Sequence, residues 1–250
     1  MVESIWSSAQ RGIYYPREWQ GRLSMQEAYR VQLGMLARYR ARGEVQVGWK
    51  VGLTAKAMQV QQGVHEPVLG FLLESGGRPS GIVFRFADLI QPGFESELCL
   101  TVDAPLQGPG VTIEEVRAAI AAVAPALEII ERRGDFAADL SLALADNAQQ
   151  KAFVTGQTMS PLPADLRLSE TTVEVFVNGR SMERASGAAV MGDPAASVAW
   201  LANKLAEFDL RLEAGMRIMS GSLTKQYLVT RGDRVESRFH PFGPVRADFE

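Results

Sequence analysis

The chain has 250 residues, 46% hydrophobic and 22% charged, and a formal net charge of -3. That length supplies one large or two small domains with a substantial core, the composition excludes a disordered chain, and the weak negative charge gives no reason to expect nucleic acid or an anionic membrane as partner. A single cysteine, Cys99, and two histidines, His65 and His240, exclude an internal disulfide or thiolate cluster and supply a histidine zinc site or a Ser-His-Asp triad poorly. Any catalytic metal should therefore be held by oxygen, which favours Mg²⁺ or Mn²⁺. No window approaches the roughly 20 apolar residues of a spanning helix and the N-terminus lacks a signal-peptide pattern, so a reducing, cytoplasmic setting is expected.

In chain order, Ser24-Met25-Gln26-Glu27 is a capping box, and the spacing of Ala28, Val31, Met35, Leu36 and Tyr39 predicts a helix to about Arg42 with Gly43 as its stop. Gly48 to Gln59 reads as a short strand, a glycine turn and a helix start. Trp49 and Val51 share one strand face and Lys50 takes the other, between two glycines that would let a ligand approach. Gly63 to Leu73 is a loop entering a buried strand, in which His65 is a loop residue. Gly76 to Gly81 reads as a boundary or hairpin, dividing a helical N-terminal part, 1–75, from a β-rich part, 76–250.

Phe94 to Val102 alternates strictly: Phe94, Leu98, Leu100 and Val102 on one face, Glu95, Glu97, Cys99 and Thr101 on the other. Thr112-Ile113-Glu114-Glu115 opens a second capped helix, expected to run through Val116, Ile120 and Val123 to a stop before Pro125. A strand carrying Glu128 follows, with Glu131 on the opposite face as a partner for a surface arginine. Asp146-Asn147-Ala148 is a turn. Thr171 to Val177 alternates into Asn178-Gly179, a type I′ hairpin signal. Asp193-Pro194 starts a helix whose buried stripe is Val198, Leu201, Leu205 and Phe208. Ser220 to Gln226 is a small-residue loop with donors for an anion.

The chemistry is concentrated in three acids. Glu95 and Glu97 stand two positions apart on one strand face, roughly 7 Å along the backbone, where they can converge on a hard cation. A bare Glu-x-Glu more often marks a solvated edge. Glu128, set among Leu127, Ile129 and Ile130, changes that reading, because a carboxylate in an apolar run needs a partner or a metal. Lys50 alone would read as a surface lysine.

These pieces coincide with a known family. Gly48 to Thr54, Glu95-Ser96-Glu97, Pro125 to Ile130, Ala145-Asp146-Asn147 and Gly221 to Thr224 resemble, in order and spacing, the 2-keto-4-pentenoate hydratase and 4-oxalocrotonate decarboxylase branch of the fumarylacetoacetate hydrolase superfamily, from about residue 45 to the end. The resemblance implies an α+β fold, with a small helical N-terminal part and a C-terminal domain on a mixed, rolled β-sheet or barrel. It implies Mg²⁺ or Mn²⁺ at Glu95, Glu97 and Glu128, and Lys50 as the catalytic residue, its pKa pushed down by the neighbouring metal. It also implies substrate contacts from Leu53, Thr54, Val68, Leu69, Gly70, Asp146, Asn147, Ser222 and Thr224, a small 2-oxo acid as partner, and a homo-oligomer.

The function implied is a metal-dependent lyase of aromatic meta-cleavage catabolism. Hydration of 2-hydroxypenta-2,4-dienoate is expected first, decarboxylation of 2-oxo-3-hexenedioate as the alternative. An acylpyruvate C–C hydrolase, or a non-catalytic partner subunit, stands behind both. One departure bears on the choice. Hydratases of this kind carry an Asp at or next to the position of Val68, whereas Glu66-Pro67 and Ala57-Met58-Gln59 look like theirs. A valine suits a decarboxylase, whose second carboxylate an Asp would repel.

Overall fold

In the computed structural model, which describes residues 1–250, the chain opens with two helices, α1 (Val2–Ala9) and α2 (Met25–Ala41), packed on each other. The capping box forms as expected: Ser24 accepts from the Glu27 N–H, and the Glu27 carboxylate accepts from the Ser24 N–H. Gly43, at φ 89°, follows the end of α2. Then come β1 (Gln46–Gly52), α3 (Lys56–Gln61), β2 (Val68–Leu73), β3 (Gly77–Pro79), β4 (Ile82–Phe84) and β5 (Pro92–Val102). α4 (Ile113–Ala119), β6 (Ile120–Glu131), α5 (Leu140–Ala145), β7 (Gln150–Thr155), β8 (Thr172–Val177), β9 (Arg180–Ser186) and α6 (Pro194–Ala206) continue the chain. β10 (Arg217–Met219), β11 (Tyr227–Leu228), β12 (Arg234–His240) and β13 (Gly243–Phe249) complete it.

The strands form two sheets, giving an α+β fold on a mixed, rolled sheet. The larger runs β2-β1-β10-β5-β6-β7-β3, with β11 added beside β5; the smaller runs β4-β13-β12-β8-β9. β1/β10 and β3/β7 pair in parallel and the other pairs of the larger sheet are antiparallel. Trp49, Leu98, Leu100, Leu127 and Ile129 have essentially no solvent exposure and join α2, α5 and α6 in the main core.

Two expectations are corrected. Gly76 to Gly81 is no hairpin: β3 and β4 belong to different sheets, each paired in parallel with a distant strand, so this turn carries the chain between sheets. The place expected for the domain division, 75/76, has β2 on one side and β3 on the other, the two ends of a single sheet. The helix expected up to Pro125 ends at Ala119, and Ile120 and Val123 instead pair with Val102 and Leu100 of β5. β-Branched residues facing a long partner strand outweigh the run-on of a capped helix. Pro125 is tolerated inside β6 because the ladder to β7 begins only at Ala126.

Candidate metal centre and active site

The acids are brought together by strand register. β5 and β6 are antiparallel with Glu95 directly opposite Glu128, while Glu97 faces the small Ala126. One carboxylate oxygen from each of Glu95, Glu97 and Glu128 lies within 4.8 Å of the others. Glu97 and Glu128 are fully buried. Like charges directly opposite destabilise a sheet, so a cation or protonation must offset them.

The protein supplies only part of that offset. Lys50 reaches across from β1 to place Nζ 3.2 Å from Glu128 Oε1, and the Gly221 N–H donates to Glu97 Oε2 at 2.9 Å. Glu97 Oε1 and Glu128 Oε2 have no hydrogen-bond partner, nor do the buried hydroxyls of Ser220 and Ser222 in the adjoining loop. Three carboxylates against one ammonium, with orphaned oxygens, fit a hard divalent ion. Burial, then the Glu128 charge, pushes Glu95 up to about 7 and Glu97 well above the carboxylate range, against the pull of Lys50. Burial alone would lower the Lys50 pKa, but Glu128, then Glu95 and Glu97, outweigh it and hold Lys50 protonated. The lowered lysine pKa that the resemblance implies belongs to the metal-bound site, where a cation that neutralises the carboxylates would remove what holds Lys50 up.

A strained loop sets the position of Lys50. Asn147, Ala148 and Gln149 take consecutive left-handed conformations, φ 54°, 48° and 61°, at a cost of roughly 1–2 kcal/mol per residue. Asn147 holds them by accepting from the Phe71 N–H at 2.7 Å and donating to the Phe71 carbonyl at 3.0 Å. Gln149 donates to the Tyr15 hydroxyl and the Gly134 carbonyl. The result is the Ala148 carbonyl, which accepts from Lys50 Nζ at 3.3 Å. Gly70 completes the fit: a Cβ there would stand 2.9 Å from Asn147 Oδ1 and 3.2 Å from Lys50 Cε.

Lys50 and Glu95 open into a cavity of about 400 Å³, whose walls include Leu53, Val68, Ile130 and Arg132. Of the expected contacts, Leu53 and Val68 line it, and Gly70 abuts Lys50. Others lie elsewhere. Leu69 faces the core, its carbonyl accepting from Gln32. Thr54 packs on Gly221 and lines a separate cavity with Glu66. Ser222 has a buried, unbonded hydroxyl, and Thr224 donates to the Lys225 carbonyl.

Asp146 is turned to the far side, where it pairs with Arg133 at 2.7 Å and lines a larger cavity of about 520 Å³ with Glu131 and Lys151. Burial pushes Asp146 up to about 6 despite that arginine. Glu131 has the ion-pair role expected of it, but its arginine, Arg133, is buried rather than on the surface. The Ser220 to Gln226 loop spends backbone donors within the chain, the Gly221 N–H on Glu97 and the Ser220 and Leu223 N–H groups on the Leu98 and Ser96 carbonyls, while its Ser220 and Ser222 hydroxyls stay unbonded. Gly48 is required by a backbone, not a ligand, since a Cβ there would meet the Arg217 carbonyl. Sequence reasoning missed the Ala148 carbonyl, which no side chain announces, and Arg132, whose signal was available: counting in twos from Glu128 puts it on the same strand face.

The sequence profile of the Fumarylacetoacetate (FAA) hydrolase C-terminal family matches residues 52–250. A 4-oxalocrotonate decarboxylase of Pseudomonas sp. (strain CF600) is 41% identical over 228 residues, 91% of this chain and 86% of that protein. A 2-hydroxyhexa-2,4-dienoate hydratase of Comamonas testosteroni is 37% identical over 230 residues, 91% of this chain and 87% of that protein. Among solved structures, 4-oxalocrotonate decarboxylase from Pseudomonas putida G7, complexed with magnesium and adipate, superposes with a TM-score of 0.92 at 35% identity, covering 100% of this chain and 95% of that one.

Proposed function

This chain belongs to the fumarylacetoacetate hydrolase family, and from that premise we propose that it is a divalent-metal-dependent lyase acting on 2-oxo acids of aromatic meta-cleavage catabolism. The observation that carries this reading is the convergence of half-buried Glu95 and fully buried Glu97 and Glu128 beside Lys50, with Lys50 and Glu95 lining one cavity. Glu95, Glu97 and Glu128 would hold Mg²⁺ or Mn²⁺, as an all-oxygen donor set favours. Such an ion, when bound, supplies Lewis acidity toward the 2-oxo acid end of a substrate. A relative's magnesium and adipate complex supports both the ion and a linear carboxylic ligand.

The chain's own groups handle the proton. The Lys50 ammonium, aimed by the Ala148 carbonyl and Glu128, is the donor at the 2-oxo oxygen. Of the two reactions, the site favours decarboxylation of 2-oxo-3-hexenedioate. The bond to the distal carboxylate breaks and CO₂ leaves. The electron pair runs through the carbon–carbon double bond to the 2-oxo oxygen, which takes the Lys50 proton and yields 2-hydroxypenta-2,4-dienoate. No group is needed to hold a water. Val68 in the cavity wall can neither accept a hydrogen bond nor take a proton, and Glu66 is committed to Lys204 at 2.9 Å, beside a different cavity.

Hydration of 2-hydroxypenta-2,4-dienoate, the first expectation from sequence, is the second reading. It shares the Lys50 chemistry, and Asp135, which lines the same cavity, is the acid it would use. Incubation of the protein and Mg²⁺ with each substrate, followed by NMR, tests the choice. CO₂ and 2-hydroxypenta-2,4-dienoate from the diacid are expected. Rapid conversion of the monoacid to 4-hydroxy-2-oxopentanoate, with the diacid untouched, would select hydration. Inertness toward both would remove the lyase reading.

A further inference from the structure

Side chains alternate along β6 and just beyond it. Glu131 and Arg133 turn to the far cavity, where they pair with each other at 3.0 Å. Glu128 turns to the metal centre, and Ile130 and Arg132 line the Lys50 cavity. Arg132 is exposed, and its guanidinium makes no ion pair and no hydrogen bond within the chain. Asp135, an acid of the same lining, makes no ion pair with Arg132; its Oδ1 accepts from the Ala137 and Ala138 N–H groups of its own turn. The cavity thus joins buried Lys50 and the half-buried Glu95 carboxylate, apolar Val68, Leu53 and Ile130, and the exposed, unpaired Arg132 cation in one lining. Four residue steps lead from Glu128 to Arg132, the last just past the end of β6, about 13 Å of extended backbone, which leaves room for a hexenedioate-length chain.

We propose that Arg132 is a specificity-determining residue that pairs with the distal carboxylate of a dicarboxylic 2-oxo acid, so that the site selects diacids over monoacids of equal length. The proposal rests on the 2-oxo acid reading above and adds the residue that reads the second carboxylate. Arg132 presents a planar fork of donors that matches a carboxylate. For a decarboxylase, this contact acts in the ground state. The distal carboxylate loses its charge as CO₂ departs, so the pair weakens toward the transition state and contributes to capture rather than to the chemical step.

The test uses two unreactive probes of equal length, 2-oxoadipate and 2-oxohexanoate, titrated calorimetrically into the full chain with saturating Mg²⁺. In Arg132→Met, affinity for 2-oxoadipate should fall about tenfold, with 2-oxohexanoate within about twofold, and Arg132→Lys should recover part of the loss. With 2-oxo-3-hexenedioate as substrate, KM should rise while kcat holds or increases. Equal changes for the two probes, no change for either, or a fall in kcat at constant KM would overturn the proposal alone. Wild-type protein that binds neither probe with Mg²⁺ present would overturn the 2-oxo acid reading and this proposal with it.

Discussion

Substitution should separate the roles of Lys50, Glu95, Glu97 and Glu128. Glu97 and Glu128 each present an oxygen without a hydrogen-bond partner, and Glu95 stands opposite Glu128. Replacing any one by glutamine removes a charged donor while keeping the shape. Glu95→Gln, Glu97→Gln and Glu128→Gln should each weaken Mn²⁺ binding at least tenfold, about 1.4 kcal/mol, in a calorimetric titration; unchanged affinity in all three would sink the metal centre. Lys50→Ala is expected to behave oppositely. Turnover should drop by roughly 10²-fold or more, as for loss of a general acid, while Mn²⁺ binds as well or better because a competing cation has gone. Near-normal turnover would return Lys50 to a merely structural ion pair.

At the level of elements, the 147–149 loop is the least replaceable part of the site. Its left-handed run persists because Asn147 clamps both polar groups of Phe71 in β2. Asn147→Ala loses that clamp and leaves buried backbone groups unsatisfied, so a destabilisation of about 2–3 kcal/mol is expected in urea denaturation. The Ala148 carbonyl should drift from Lys50, lowering kcat with little change in Mn²⁺ affinity. A variant with normal kcat would show that the carbonyl does not orient the lysine.

The same loop marks where sequence reading stops. Glu95 and Glu97 were legible from strict alternation, Glu128 from its apolar surroundings, and the starts of α2, α4 and α6 from their caps, because each signal is local. The pairing of Glu95 with Glu128, the C-terminal hairpin β12–β13 and the parallel partners of β3 and β4 depend on contacts between distant segments. Asp146 shows the limit in the other direction. The family resemblance implied a substrate contact there, but the neighbouring turn points the carboxylate at Arg133, in a cavity other than that of Lys50.

For the molecule as a whole, the carboxylate cluster couples stability to both pH and metal. Glu95 is held up to about 7 from an ordinary 4.5 by burial and Glu128. A raised carboxyl group contributes stability that is complete below its unfolded value and is lost as pH climbs through the folded value. The metal-free protein should therefore lose stability between about pH 4.5 and 7 from this group. A bound divalent ion takes the ionised form and reverses the sign. The increase in Tm caused by saturating Mg²⁺ should grow steadily from pH 6 to pH 8 in thermal scans, and a constant increment would place the ion away from these acids.

If the carboxylates of β5 and β6 hold the ion that the lyase reaction needs, turnover must depend on both the metal and these acids. The most direct test is the rate of CO₂ release from 2-oxo-3-hexenedioate by chelator-treated protein, before and after Mg²⁺ is restored, in wild type and Glu97→Gln side by side. Turnover should be absent in the stripped wild type, return with Mg²⁺, and fail to return in the variant. Equal rates with and without Mg²⁺, or full recovery in Glu97→Gln, would contradict that dependence.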